Sequence, residues 1–200
     1  GSVVITLAPE QETEFAMNIR IPGWVSEQAN QNGTISVNSA PVKVEAEKGY
    51  VAITRRWKAG DVIAIDFPME VRLTEAHPKV TTNTGRVAIE RGPIVYAMER
   101  AGNHELNEDA NFDPNRFIIP RDTEFTATYR SDLLKGVVEL TADVYHGDTM
   151  ETASWAKLQA IPYYAWNNRG NNGVEGQNNG SRMIIWTNAT GEVNANSPRF

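Results

Sequence analysis

The residues best able to contact a ligand lie in "LQAIPYYAWNNRGNNG", Leu158 to Gly173, where Tyr163, Tyr164 and Trp166 stand beside Asn167, Asn168 and Arg169. Aromatic faces stack on sugar rings, and amide and guanidinium groups bond hydroxyls, so Tyr163, Tyr164, Trp166, Asn167 and Arg169 form a candidate carbohydrate-binding set. The same composition also suits the end of a buried strand followed by an Asn/Gly turn. From these residues alone both readings stay open.

Other chemistry finds weaker support. Asp61, Asp66, Glu70, Glu75 and Glu90 are candidate carboxylates, but nothing in their spacing pairs two of them across a scissile bond as glycoside cleavage requires. His77, His104 and His146 are the only histidines, and none lies within a few residues of another as a compact metal motif would need. His146-Gly147-Asp148 is the best local pair, and a turn at a strand end explains it. Asn107, Asp109, Asn111, Asp113 and Asn115 alternate as in a calcium loop. Counted from Asn107, however, Phe112 replaces the turn glycine and Ile118 the bidentate glutamate. No phosphate cradle, nucleophile elbow or H-E-x-x-H occurs. No catalytic or metal-ligating residue is assigned.

The elements that must position these residues read as β throughout. Phe15, Met17 and Ile19 share one face, as do Ile63, Ile65 and Phe67, with short strands between them separated by turns at Asn32-Gly33, Asn38-Ser39 and Lys48-Gly49. The polar segment Glu75 to Arg86 contains proline and glycine and is taken as a domain boundary. Beyond it, Val87, Ile89, Ile94, Tyr96 and Met98 should face a second core, with Arg91-Gly92-Pro93 as a bend. Phe125, Ala127 and Tyr129 form another apolar face, as do Val138, Leu140 and Ala142. "ETASWAKLQ" fits either a strand or a short helical turn.

Composition narrows the class further. The net charge of −6, with scattered basic residues, argues against nucleic acid, and no apolar run approaches the roughly 20 residues that span a bilayer. Neither nucleic acid nor a membrane is expected as a partner. The chain has no cysteine, which removes thiolate nucleophiles, disulfides and cysteine-bound zinc. It opens Gly1-Ser2-Val3, as an excised piece of a longer chain would, and leaves the compartment open between periplasmic or secreted and cytoplasmic.

The blocks "MNIRIPGWV", "ISVNSAPV", "GYVAITRRWKAGDVIAIDFPMEVR", "GRVAIERGPIVYAME" and "AIPYYAWNNRG", in this order, resemble the C-terminal part of the β-L-arabinofuranosidase family of glycoside hydrolases (family 127 type), from about Phe15 to Trp186. Two departures are Ser39, where the family hairpin commonly has glycine, and a longer loop in the 170s. The resemblance implies an all-β chain of two consecutive antiparallel β-sandwich domains of jelly-roll or Ig-like type, at 1–83 and 84–170. "RMIIW" (181–188 with its flanks) is expected to return to the first domain, and 189–200 to form a disordered tail. It further implies a bacterial parent whose N-terminal (α/α)6 barrel carries a zinc-bound cysteine nucleophile and an acid/base glutamate. No cofactor is expected in this chain, because the family's zinc is held through cysteines it lacks. The resemblance also implies a structural role for the Tyr163–Arg169 stretch, its aromatics packed on neighbouring strands and Asn167, Asn168 and Arg169 organising the turn, and for the chain a non-catalytic role packed on that barrel. The alternative is an independent carbohydrate-binding module for plant-type oligosaccharides.

Overall fold

The computed structural model describes residues 1–26, 33–103, 113–168 and 183–190. The chain divides into two compact units, Gly1–Glu70 and Val71–Phe200.

The first unit contains β1 (Ser2–Thr6), β2 (Thr13–Arg20), a single helical turn α1 (Gly23–Ser26), β3 (Thr34–Val37), β4 (Ala40–Val42), β5 (Tyr50–Trp57) and β6 (Val62–Asp66). One sheet runs β1-β6-β3-β4, and β2 pairs with β5 as a second. Ile19 and Val51 from the pair bury with Ile35, Ile63 and Ile65 from the four-stranded sheet, so the two sheets share one core as a sandwich does. Trp57 is fully buried at its edge, its Nε1 donating to the Phe15 carbonyl at 3.0 Å and its ring 5.9 Å from that of Phe15. The face read from Phe15, Met17 and Ile19 is therefore graded: Ile19 is buried, Met17 half-buried and Phe15 exposed at the rim. After Pro22-Gly23 the chain turns and Trp24 packs edge-on against Phe67, 6.1 Å between ring centres.

The second unit contains β7 (Val71–Glu75), β8 (Arg86–Arg91), β9 (Ile94–Glu99), β10 (Phe117–Pro120), β11 (Thr126–Arg130), β12 (Val137–His146), β13 (Ser154–Pro162), β14 (Met183–Ile184) and β15 (Thr187–Thr190). Its sheet order is β14-β9-β13-β12-β10-β15-β8-β7, with β11 added on β12 and a further ladder between β8 and β9. That last ladder closes a circuit through β8, β9, β13, β12, β10 and β15, so these six strands wrap around their own core. Alternate residues fill it: Val87, Ile89, Tyr96, Met98, Phe117, Ile119, Leu140, Val144 and Leu158 are all fully buried. Ile94 packs half-buried against them.

The all-β class expected from sequence is what is observed, with several differences in detail. Residues 75–86 do not separate the domains but join β7 to β8, which pair from Val71↔Arg91 to Glu75↔Val87. The division falls between Glu70 and Val71, because β7 already belongs to the second sheet. "RMIIW" does not return to the first unit. Met183 and Ile184 pair with Glu99 and Met98, and β15 lies between β8 and β10, where Ala189 supplies an apolar side chain to the second core. Residues 189 and 190 therefore end a strand, and 191–200 lie outside the described residues. The sheet is mixed rather than wholly antiparallel, since β10 and β15 run parallel. "ETASWAKLQ" is strand from Ser154 onward, forming β13 together with its continuation to Pro162. Arg91-Gly92-Pro93 makes a two-residue hairpin turn, with Arg91 opposite Ile94 and Gly92 at φ 55°, a conformation that favours glycine. On β11, Ala127 and Tyr129 are exposed, because among the described residues this strand pairs only with β12 and no second layer covers it.

Candidate functional site

Pro162 ends β13, and Tyr163–Ala165 form one 3-10 turn whose anchor is Ala165, buried with Val137 and Ile161. This leaves Tyr163 and Tyr164 on the surface, at 45% and 69% exposure. The Tyr163 and Trp166 rings stack nearly parallel, 7° apart with centres 6.1 Å apart. Trp166 Nε1 is buried and meets no hydrogen-bond partner among the described residues. Asn167 adopts φ 62°, and its N–H points to Glu99 Oε2 at 3.4 Å. Asn168 Nδ2 donates to the Ala165 and Trp166 carbonyls, both at 3.1 Å, closing the turn. Beneath this segment Tyr96 is fully buried opposite Pro162, and burial raises its phenol pKa above the ordinary value. The structure thus gathers Tyr163, Trp166 and Asn167 beside an exposed Tyr164. Arg169 lies outside the described residues. The asparagines organise the turn as expected from sequence, whereas the two tyrosines stand outward instead of packing beneath strands.

The candidate carboxylates are spread over separate positions, most of them with partners of their own. Asp61 is buried, accepting from Asn38 Nδ2 at 2.8 Å and from the Lys58 N–H at 2.9 Å. These two bonds hold its carboxyl below the ordinary range. Asp66 accepts from Ser2 Oγ at 2.6 Å. Glu90 lies opposite Arg72 in the β7–β8 ladder and bonds it at 2.7 Å, with Thr74 Oγ1 donating at 3.0 Å. Glu75 is ion-paired with Arg121. Glu70 is exposed at the end of the first unit.

His146 stacks edge-on against Phe117 with 5.2 Å between ring centres. Burial lowers its pKa, and the Arg116 guanidinium adds to this. Arg116 itself bonds Asp148 at 3.0 Å. His77 Nδ1 accepts from the Lys79 N–H at 3.2 Å, and His104 lies outside the described residues. In the candidate calcium loop, Asn107, Asp109 and Asn111 also lie outside them, while Asp113 accepts from both the backbone and side-chain nitrogens of Asn115. Among the described residues no three His, Asp or Glu side chains gather as a metal site. The cysteine donors of a thiolate–zinc centre are missing from the sequence altogether, so this chain does not fit that group.

Two features escaped sequence reasoning. Asn103, buried at the end of β9, donates to the Glu99 and Gln159 carbonyls and accepts from the Gln159 N–H, all at 2.8 Å, bridging to the edge of β13. Tyr145 and Trp155, directly opposite across the β12–β13 ladder, form an aromatic pair 4.1 Å apart. The signal for the second was present, because a hairpin folded about the turn after "YHGD" brings the two rings together.

Comparison with known proteins follows the division into units. Residues 1–69 match the description "Beta-L-arabinofuranosidase, GH127 middle domain" and residues 71–175 match "Glycoside hydrolase family 127 C-terminal domain". A non-reducing end beta-L-arabinofuranosidase of Bifidobacterium longum subsp. longum is 29% identical over 177 residues, covering 81% of this chain and 25% of that protein. The crystal structure of a GH127 beta-L-arabinofuranosidase from Geobacillus stearothermophilus T6 superposes with a TM-score of 0.77 at 33% identity, over 95% of this chain and 29% of that one. A second GH127 beta-arabinofuranosidase structure gives 0.76 at 30% identity, over 100% and 31%. The chain therefore spans roughly a quarter to a third of the relatives it matches. By sequence and by fold, it belongs to glycoside hydrolase family 127 and corresponds to that family's middle and C-terminal domains.

Proposed function

We propose that this chain is the non-catalytic β region of a bacterial β-L-arabinofuranosidase-like glycoside hydrolase, and that it docks on and stabilises a separate (α/α)6 catalytic barrel of the same parent. One observation carries the reading: the chain matches only the middle and C-terminal domains of its relatives and holds no cysteine to serve as a thiolate nucleophile. The carboxylates of the sandwich units support it, since Asp61, Glu75 and Glu90 are each engaged in an internal hydrogen bond or ion pair. The docking part draws support from β1, an edge strand exposing Val3 at 50% and Val4 at 67%, one on each face. In the parent, the helical barrel would cover that edge. The test compares this chain with the full-length parent on aryl arabinofuranosides; turnover by the 200-residue chain alone would overturn the reading.

The exposure of Tyr163 and Tyr164 favours a second reading, a carbohydrate-binding module using Tyr163, Tyr164, Trp166, Asn167 and Arg169 on plant-type oligosaccharides. A calorimetric titration with arabinan-type oligosaccharides tests it. Saturable binding abolished by Tyr164→Ala supports this module, and binding that survives Tyr164→Ala, or none at millimolar ligand, removes the turn as a sugar site without bearing on the scaffold.

A further inference from the structure

The outer face of the second unit carries a row of side chains distinct from the Tyr163–Trp166 turn. Hydrogen-bond register aligns Trp155 on β13 with Tyr145 on β12, Tyr145 with Ile118 on β10, Ile118 with Asn188 on β15, and Asn188 with Arg86 on β8. Residues opposite one another in a ladder share a face, and the core takes the alternate positions Leu158, Val144, Ile119, Thr187 and Val87. All five positions therefore lie on the outer face. Ile118 in the middle is buried, at 6% exposure, so the open surface is interrupted there and the Trp155–Tyr145 end stands by itself.

At that end Trp155 is 63% exposed and its ring lies against that of Tyr145. One row along the strands, Asp143 and Lys157 lie opposite each other and are both exposed, on the same face as the aromatic pair. An apolar plate with donors and acceptors beside it suits a molecule whose rings have an apolar C–H face and a rim of hydroxyls.

Size and charge distinguish among possible occupants. A whole aromatic side chain buries only about 150–250 Å², far below the roughly 800 Å² each partner contributes to a stable protein interface. The net charge of −6 disfavours a polyanion. We infer that the Trp155–Tyr145 plate, flanked by Asp143 and Lys157, is a surface site for a neutral oligosaccharide. The choice of a sugar rests on the family assignment and not on the barrel-docking reading. In the parent enzyme the site would hold a polymeric substrate without taking part in bond cleavage.

The test is an NMR titration of the 200-residue protein with neutral arabino-oligosaccharides, following the five indole N–H signals, with Trp155 assigned through Trp155→Phe. Saturable shifts of the Trp155 indole and of the Asp143 and Lys157 amides are expected. Trp155→Ala should weaken binding at least tenfold, Trp155→Phe should keep part of it, and Tyr164→Ala should leave it unchanged. A Trp155→Ala protein, checked as folded by its thermal transition, that binds as well as the original would overturn the site. So would shifts confined to Tyr163–Trp166, the absence of saturable shifts, or a concentration-dependent dimer dispersed by Trp155→Ala, which would make the plate a contact between copies. None of these outcomes bears on whether the chain lacks hydrolase activity or docks on a barrel, so the two proposals fail separately.

Discussion

Asn38, Ser39 and Asp61 show how single side chains set the corners of the first unit. Asn38 and Ser39 link Val37 to its partner Ala40 as a two-residue turn with φ of 50° and 67°. Positive φ at both central positions is the geometry that favours Asn-Gly over Asn-Ser. Ser39→Gly should therefore stabilise the protein by about 0.5–1 kcal/mol, read from the urea midpoint, because relief of left-handed strain exceeds the added chain entropy. Asn38 also clamps the neighbouring corner: its Oδ1 accepts from the Val62 N–H at 2.9 Å while its Nδ2 donates to Asp61. Because the folded pKa of Asp61 is depressed, its contribution is present above the unfolded value of about 3.9 and is lost as pH falls through the lower folded value. Urea midpoints measured from about pH 5 down to about pH 2.5 should fall less steeply in Asp61→Asn than in the original chain. An unchanged slope would show that the Asn38 and Lys58 bonds do not favour the carboxylate.

Strands whose faces alternate were legible wherever a core covers one face. Val87, Ile89, Tyr96 and Met98 follow a period of two and are fully buried. Phe125, Ala127 and Tyr129 have the same period, yet Tyr129 is 67% exposed, since periodicity records that one face is apolar and not whether a second layer lies over it. The closed circuit of six strands was not legible, because its closing contacts are brief and distant in sequence: two residue pairs between β13 and β9, and a three-pair parallel ladder between β10 and β15. The division at Glu70 is marked by no signal beyond Pro68, while the polar 75–86 segment carries both proline and glycine and only connects a hairpin. Of the candidate site, the Asn turn could be read from its residues, but the outward tyrosines and the Tyr145–Trp155 pair depend on tertiary register. Trp57 sits fully buried at the end of β5 with the Arg55 guanidinium 5.1 Å from its ring. Trp57→Ala removes that packing and leaves a cavity, so a loss of about 3–5 kcal/mol is expected. The buried clusters of the two units share no residue, so calorimetry should show the transition of the first unit lowered and that of the second unmoved. Equal displacement of both transitions would refute the independence of the two cores.

At the scale of the whole molecule, the exposed edge of the first unit is the feature that a single chain leaves unexplained. Edge strands in soluble proteins are commonly blunted by charge, proline or a bulge, because an unpaired row of backbone groups invites pairing with another chain. β1 has none of these within Ser2–Thr6: it pairs with β6 on one side, and its other edge pairs with no described strand while Val3 and Val4 stand exposed on its two faces. Such an edge is consistent with cover supplied by another part of a longer polypeptide, as the docking proposal requires. Val4→Lys separates this from an incidental surface valine. In the isolated chain the side chain is already 67% exposed, so the change should alter stability by less than about 0.5 kcal/mol. In the full-length parent, if the proposed barrel covers β1, the buried and uncompensated ammonium should lower the melting temperature, by an amount on the order of 2 kcal/mol or more in stability. If the parent tolerates Val4→Lys as well as the isolated chain does, the barrel does not dock on β1.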